Sequence, residues 1–305
     1  MGSGRVLLSG ATGLVGQALL PALLERGATV HALTRRKPKS QPAQTGGAHF
    51  FEWDGVHPPE ASLRGIDAVV HLAGEPIFGG LVTQRRMRRM VSSRIDSTRE
   101  LAARIAALDP SQRPGRFVCA SAVGLYGDRA DEKLDEASVP GRGFLPDLCR
   151  DWERAAEEAR SSNLSVARLR FGVILSRRGG ALPPMRRSFE LHLGGRLGSG
   201  DQWVPWVHLD DAVGAVLLAI DGRLDGPVNV VAPNPVTNRE LTRELAKQLG
   251  RPGFWVVPGF ALRAVLGEIA DELLGSKQVA PGALERARYR FRYPELAPAL
   301  VEELS

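Results

Sequence analysis

The sequence predicts an α/β protein built on a doubly wound parallel Rossmann-type sheet, with a smaller C-terminal lobe. Three observations predict it. Short apolar or β-branched runs alternate with helical patterns over the first two-thirds of the chain. Several of those runs, Val6-Leu7-Leu8 and Ala68-Val69-Val70 among them, are apolar throughout. Strands covered on both faces require that. Finally, the first run leads directly into a glycine-spaced turn, SGATGLVGQALL, that opens a helix.

Taken in order, the expected strands are 5–9, 29–34, 49–53, 68–72, 116–120, 165–175 and 228–231, and the expected helices are 14–26, 83–108, 144–160 and 210–220. Residues 1–180 form the Rossmann domain, which also receives strand 228–231. Residues 181–305 form the lobe, which is mostly helical. The texture changes after Gly180, where GGALPP, LGGRLGSG and APNP bring in loops. A helix is expected over 238–249, with Asn238 as its N-cap and Gly250 at its end. The tail from Phe260 is mostly helical and carries an aromatic-basic stretch from Tyr289 to Tyr293. Segment 37–47, rich in Lys, Pro, Gln and Gly, is expected to be a surface loop.

Composition sets the outer limits. Of 305 residues, 43% are apolar, enough for a sizeable core. The net charge is +6, which raises the question of nucleic acid. The densest basic cluster, Arg85, Arg86, Arg88 and Arg89, is interleaved with Met87, Met90 and Val91. That spacing reads as an amphipathic helix with a solvated face, and no nucleic-acid motif accompanies it. No apolar run reaches the ~18 residues of a membrane span. The N-terminus lacks a leader-like apolar stretch, and only Cys119 and Cys149 are present. The expected location is therefore the cytoplasm, without a disulfide framework.

The cofactor signal is the glycine triplet Gly10, Gly13 and Gly16 between strand and helix. A tight turn, a pyrophosphate against the backbone and a close helix each need a missing Cβ. Thr12, Leu14 and Val15 supply backbone around the same site, and a helix N-terminus attracts phosphate. The second strand ends on Thr34 and Arg35, where an NAD site usually carries a carboxylate. A guanidinium pairs with a 2′-phosphate that a carboxylate would repel. NADP(H) is thus the expected cofactor, with Arg35 as the selecting cation and Thr34 in support.

The stretches GATGLVG, VVHLAGEP, SSRIDSTREL, SAVGLYG, FLPDLCRDWERAA, RFGVILSRRGGAL, GSGDQWVPWVHLDD and LLGSKQVAPGAL resemble the extended short-chain dehydrogenase/reductase superfamily. The finer pattern is similar to its atypical branch, the YfcH-like or SDR39U1-like epimerase family proteins, over nearly the whole chain. The resemblance implies that Leu72, Ala73 and Gly74 line the cofactor, that Asp54 lies near the adenine, and that Arg94 reaches the cofactor. It places Ile174 beside the nicotinamide half. It also implies a homodimer paired through the long helices at 83–108 and 144–160.

The superfamily's chemistry needs a Tyr, a Lys four residues later that lowers the phenol's pKa, and a Ser that orients substrate. Aligned on Glu153, this chain has Leu145 and Cys149 in the first two places. Aligned on Tyr126-Gly127, it has Ala122 in the third, with Ser121 one residue earlier. The remaining candidates for proton transfer are Tyr126, Ser121 and Glu75. His208, Asp210 and Asp211 offer further groups, or else a structural histidine and helix-capping aspartates. Trp203 and Trp206 read equally as a substrate wall or as lobe core. Two functions follow: an NADP(H)-dependent oxidoreductase or epimerase acting on a small molecule with an unconventional proton donor, or a non-enzymatic NADP(H)-binding sensor or scaffold. Neither calls for nucleic acid or a membrane.

Overall fold

The structure is a computed structural model that describes residues 4–35, 47–78, 83–161 and 163–305. Its centre is a seven-stranded sheet formed by β1 (Arg5–Ser9), β2 (Thr29–Thr34), β3 (Ala48–Glu52), β4 (Ala68–His71), β5 (Arg116–Ala122), β6 (Ser165–Phe171) and β7 (Gly226–Val230). The spatial order is β7-β6-β5-β4-β1-β2-β3, and every pairing is parallel. The order reverses direction at β1, so that β1 and β4 separate on their way to the two halves of the sheet. In such sheets the crevice at this switch point, beyond the carboxyl ends of the strands, is where ligands bind.

Period-two alternation decides which helices cover which face. Val6, Leu8, Val30, Ala32, Val70 and Leu169 point to one side and pack on Leu19 and Leu23 of α1 (Leu14–Glu25) and on Ala212, Val216 and Ala219 of α6 (Leu209–Ile220). Leu7, Leu33, Val69, Phe117 and Val166 point to the other. They meet Leu101 and Ile105 of α3 (Ser97–Ala107) and Trp152 and Ala156 of α4 (Phe144–Glu157). The helix expected over 83–108 is α2 (Gln84–Val91) joined to α3 through a π turn, Ser92–Asp96. Such insertions often mark functional positions. Arg86 is buried there rather than solvated, and its Nη2 donates to the carbonyls of Pro76 at 2.9 Å and Ile77 at 3.1 Å.

The strand expected over 165–175 is two strands in different sheets. At Gly172 the backbone passes so close to the Pro205 carbonyl that a Cβ would clash with it. The chain leaves the main sheet there and continues as Val173–Ser176, between Trp206–His208 and the Gly179–Gly180 arm of a hairpin. Beyond it lies a lobe with its own core. Leu182 and Phe189 of α5 (Leu182–Glu190), Leu241 and Leu245 of α7 (Asn238–Leu249), Trp206, and Leu296 and Leu300 of α11 (Leu296–Leu304) cluster there. Two short ladders add to it, Gly195–Leu197 with Trp255–Val257 and Trp203–Val204 with Val236–Thr237. The remaining tail helices are α8 (Gly259–Leu266), α9 (Ala270–Leu274) and α10 (Gly282–Arg286).

Two expectations about helix ends need correcting. The N-cap of α7 is Thr237, not Asn238, in a reciprocal box with Glu240. Asn238 instead buries its amide and accepts the Leu197 N–H at 2.8 Å. The N-cap of α6 is His208, whose Nδ1 accepts the Asp210 N–H at 3.1 Å. Asp211 does not cap. Its carboxylate accepts the N–H groups of Arg292 and Tyr293 at 2.7 and 2.9 Å and binds the aromatic-basic tail to the helix. The surface loop expected at 37–47 falls, apart from Gly47, outside the described residues, as do Arg36 and Lys37. Among the described residues no helix is long and apolar enough to cross a membrane.

Candidate functional site

At the switch point, Gly10 has φ of 74°, a left-handed conformation that favours glycine. A Cβ there would lie 2.7–2.8 Å from the backbone of Leu72 and Ala73. At Gly16 a Cβ would overlap the Gly10 carbonyl oxygen, so the helix rests directly on the turn. Thr12 and Gly13 are exposed, and Leu14 and Val15 half-buried. Helix α1 begins at Gly13 with no side-chain cap and no acidic residue in its first turn. Among the described residues, the N–H groups of Leu14, Val15 and Gly16 have no acceptor. Three such orphan donors and the positive end of the helix dipole suit an anion.

The turn is backed by a buried polar chain that the sequence reading missed. The Ala73 N–H lies 3.3 Å from Ser9 Oγ, Ser9 Oγ 2.6 Å from His71 Nδ1, and His71 Nε2 3.2 Å from Ser97 Oγ, which donates to the Ser93 carbonyl at 2.8 Å. His71 is fully buried, and burial holds its pKa down at about 4. The ring is therefore neutral at pH 7. Donation by Ser9 to Nδ1 and by Nε2–H to Ser97 satisfies every member in one direction. The Glu75 N–H adds a bond to Ser93 Oγ at 2.9 Å. The π turn thus holds both the strand β4 exit, Leu72 to Glu75, and the phosphate turn beside it.

Arg94 sits on that π turn at 7% exposure, and burial lowers its pKa. Its guanidinium lies 5.2 Å from the Trp152 ring centroid, donates to the Met90 carbonyl at 3.3 Å, and packs closely on Gly74, where a Cβ would be 3.3 Å from its Cζ. No carboxylate pairs with it among the described residues. The structure therefore brings Leu72, Ala73, Gly74, Glu75 and Arg94 together. Ile174 is half-buried on the strand facing the Gly179–Gly180 hairpin, and a Cβ at Gly180 would touch both the Ile174 carbonyl at 2.9 Å and the Leu14 side chain at 3.1 Å.

The end of β2 is more divided. Arg35 is exposed and pairs with no group among the described residues, whereas Thr34 is 4% exposed with its Oγ1 unpaired beneath the surface. Support from the Thr34 hydroxyl is corrected accordingly, because the strand places that side chain inward. Trp53 bonds the Thr34 carbonyl, which brings Asp54 to the same end of the sheet. The Asp54 carboxylate caps its own turn through the N–H groups of Val56 and His57, both at 2.7 Å, with Oδ2 2.8 Å from His57 Nδ1. The His57 side chain and those amides lower its pKa to about 2.

Of the proton-transfer candidates, two are corrected. Tyr126 is fully buried, and its hydroxyl accepts from Arg170 Nη1 at 2.8 Å while lying 2.7 Å from Asn229 Oδ1 and 2.9 Å from the Asp135 carbonyl. Burial raises its pKa. A phenol so enclosed is part of the framework. Ser121 donates to Glu153 at 2.7 Å, and Glu153 receives Arg170 through both oxygens at 2.7 and 2.9 Å. Those groups form one buried network under β5 and β6. Glu75 stays accessible, with Arg89 at 3.5 Å. Burial raises the Cys119 and Cys149 thiols to about 12, so both are inert. Trp206 is lobe core, and Trp203 donates its ring N–H to Asp131 at 3.0 Å. His208 is buried between Asp210 N–H and Glu303, with Oε1 at 3.0 Å, and is structural.

A cleft of about 700 Å³ opens beyond β5, lined by Gly124, Leu145, Phe144, Arg142 and residues of α8 and α9. Leu145 therefore does not close it. Three of the acids that line it come from the tail: Glu268, Asp271 and Glu272. The sequence carried no signal for them, since the order of the chain does not reveal which distant segment folds back over a strand end.

Comparison with known proteins agrees with this geometry. The profile of the NAD dependent epimerase/dehydratase family matches residues 6–231, and a domain of unknown function, DUF1731, matches residues 257–303. An epimerase family protein of Mycobacterium bovis, Mb2239, is 39% identical over 98% of this chain and 97% of its own. Human epimerase family protein SDR39U1 is 35% identical over 98% of this chain and 99% of its own. The crystal structure of human SDR39U1 isoform 2, solved with NADPH, superimposes with a TM-score of 0.87 at 34% identity, covering 98% of each chain. A glycine turn under an uncapped helix, at the reversal point of this parallel sheet, and a matching profile over most of the chain lead to one conclusion: the chain belongs to the NAD dependent epimerase/dehydratase family.

Proposed function

We propose that this protein binds NADP(H) and acts as an oxidoreductase or epimerase on a small molecule held in the cleft beyond β5. The observation that carries the reading is the pair formed by the acid-free, uncapped N-terminus of α1 and the exposed cation of Arg35. The residues fit the cofactor. Amides from Leu14 to Gly16 suit the pyrophosphate, Arg35 the 2′-phosphate, and Leu72 to Gly74 with Arg94 the inner half. The human relative crystallised with NADPH supports the choice. Bound, a nicotinamide supplies hydride exchange with a substrate carbon. This chain's residues orient the two partners and manage the proton.

A second reading, a cofactor-binding sensor or scaffold, is favoured by one observation: Leu145 and a buried Cys149 stand at the tyrosine and lysine positions, with Tyr126 and Ser121 bound elsewhere. The open cleft argues against it, because a scaffold has no use for a preserved substrate space.

Isothermal titration with NADPH and NADH tests the proposal. NADPH should bind more tightly. Arg35→Ala should weaken NADPH by about 10- to 100-fold, the loss of charge-assisted bonds of roughly 1.5–3 kcal/mol, and leave NADH nearly unchanged. Equal weakening of both coenzymes would remove Arg35 as the selector. Absence of binding by either would overturn the reading. A metabolite screen by thermal shift on the NADPH-loaded protein then separates enzyme from scaffold.

A further inference from the structure

The cleft contains an acid that the tail of the chain delivers. Glu272, on α9, reaches across to the turn that follows β5. A Cβ at Gly124 would lie only 3.1 Å from Glu272 Oε2, so glycine at that position lets the carboxylate approach the backbone. Gly124 and Leu145 line the same cleft as Glu272. Leu145, which stands at the superfamily's tyrosine position, is part of this wall.

Behind Glu272 lies Lys277. Its ammonium is 3.4 Å from Glu272 Oε2 and 3.3 Å from the Glu272 carbonyl, and the residue is 2% exposed. An ammonium is rarely buried so deeply without a partner, and here its only carboxylate partner among the described residues is Glu272. The Lys277 N–H is tied to the Trp203 carbonyl at 3.2 Å, which fixes the segment to the lobe. The other acids of the cleft are committed elsewhere or lie at its rim. Asp271 pairs with Arg263 at 3.1 Å, Asp147 with Arg150 at 2.8 Å, and Asp128 accepts the Ser276 N–H at 3.0 Å, while Glu268 is exposed. Glu272, 19% exposed at its side chain, is both held and open to the cleft.

We propose that Glu272 is the proton-transfer residue of this protein, with Lys277 as its positioning residue, and that together they take over the work of the tyrosine and lysine absent at positions 145 and 149. The proposal rests on the oxidoreductase reading above. In the reductive direction a substrate carbonyl carbon accepts hydride from a reduced nicotinamide and its π pair moves to oxygen. The Glu272 carboxyl gives that oxygen its proton, remains as carboxylate against Lys277, and is reprotonated from water in the cleft. In the oxidative direction the carboxylate takes the proton of a substrate hydroxyl.

The full chain loaded with NADPH can be tested with 9,10-phenanthrenequinone, a carbonyl acceptor that demands hydride and protons. Glu272→Gln should lower kcat by about 100-fold or more, within the range of general acid–base catalysis, with NADPH affinity by calorimetry unchanged. Lys277→Met should lower kcat while leaving KM for NADPH in place, and Lys277→Arg should restore most of it. A Glu272→Gln variant as fast as wild type overturns the proposal. A second measurement does not depend on turnover: coupling of glycinamide by carbodiimide, mapped by peptide mass. Glu272 should be labelled in the folded protein and protected by the quinone. If wild type fails to reduce the quinone but labelling and protection occur, the oxidoreductase reading fails and the placement of Glu272 in the ligand cleft stands. Absence of labelling or of protection overturns the placement itself.

Discussion

Tyr126 shows how little a residue's type says about its duty until its surroundings are known. In the sequence it is one of three candidates for proton transfer, a phenol just after a strand that ends at the ligand side. In the structure its hydroxyl joins Arg170, Asn229 and the Asp135 carbonyl, inside a network that continues through Glu153 to Ser121. Removing one member leaves buried polar atoms unsatisfied. Tyr126→Phe should therefore lower the free energy of urea unfolding by about 1–3 kcal/mol and leave NADPH affinity and quinone reduction unchanged. A variant of full stability that loses turnover would restore Tyr126 as the proton donor. The close approaches at Gly10 and Gly16 and the exposed place of Arg35 could be read because turn geometry and a strand end are local. Tyr126, Thr34 and Glu272 could not, because the partners or the enclosure that decide their roles come from far along the chain or from which face of a strand turns inward.

Between elements, the phosphate turn, the β4 exit and the π turn are joined by the chain from Ser9 through His71 to Ser97. That chain requires a neutral imidazole. The folded pKa of His71, about 4, lies below its usual value of 6.5 because the ring is buried. The unfolded chain therefore takes up a proton that the folded one refuses, and stability falls as the pH drops from about 6.5 to about 4. The full loss from this residue is on the order of 3 kcal/mol. Urea midpoints measured from pH 7 to pH 4 should decline in wild type. His71→Phe should start lower at pH 7, since Ser9 and Ser97 lose their partner, and decline less steeply. Parallel declines would show that His71 is not the acid-sensitive group. The same region tells which elements the sequence exposed. Strands β1 and β2 were legible to the residue because apolar runs end sharply at Gly10 and Arg35. The π turn was not, since one extra residue in a helix leaves hydrophobic spacing almost unaltered. The break at Gly172 was hidden because the run of apolar residues continues across it into another sheet.

At the level of the whole molecule, the tail is part of the folded core as well as the source of three of the cleft's acids. Leu284 of α10 is fully buried against β7, in the same cluster as Val228 and Val230 of the main sheet. Leu300 and Ala299 of α11 are fully buried against α7 and Trp206 in the lobe. Asp211 on α6 holds the segment between them through the N–H groups of Arg292 and Tyr293. A buried leucine contributes roughly 1.5–3 kcal/mol, and whole domains retain only about 5–15 kcal/mol. Deleting residues 282–305 removes Leu284, Leu296 and Leu300 and leaves apolar surface on both the sheet and the lobe. The shortened chain should therefore lose its cooperative thermal transition by circular dichroism, although every strand of the sheet remains in it. Asp211→Asn keeps the chain length and weakens only the tie, so it should remain folded and lose about 1–3 kcal/mol in urea. A deletion variant that unfolds cooperatively at the wild-type temperature would show the tail to be an appendage, and Glu272 would then sit on a segment free to leave the cleft. The burial of Leu284 and Leu300 argues for the opposite: the tail is fixed to the sheet at one point and to the lobe at another, and the acid it carries lies just upstream of both anchors.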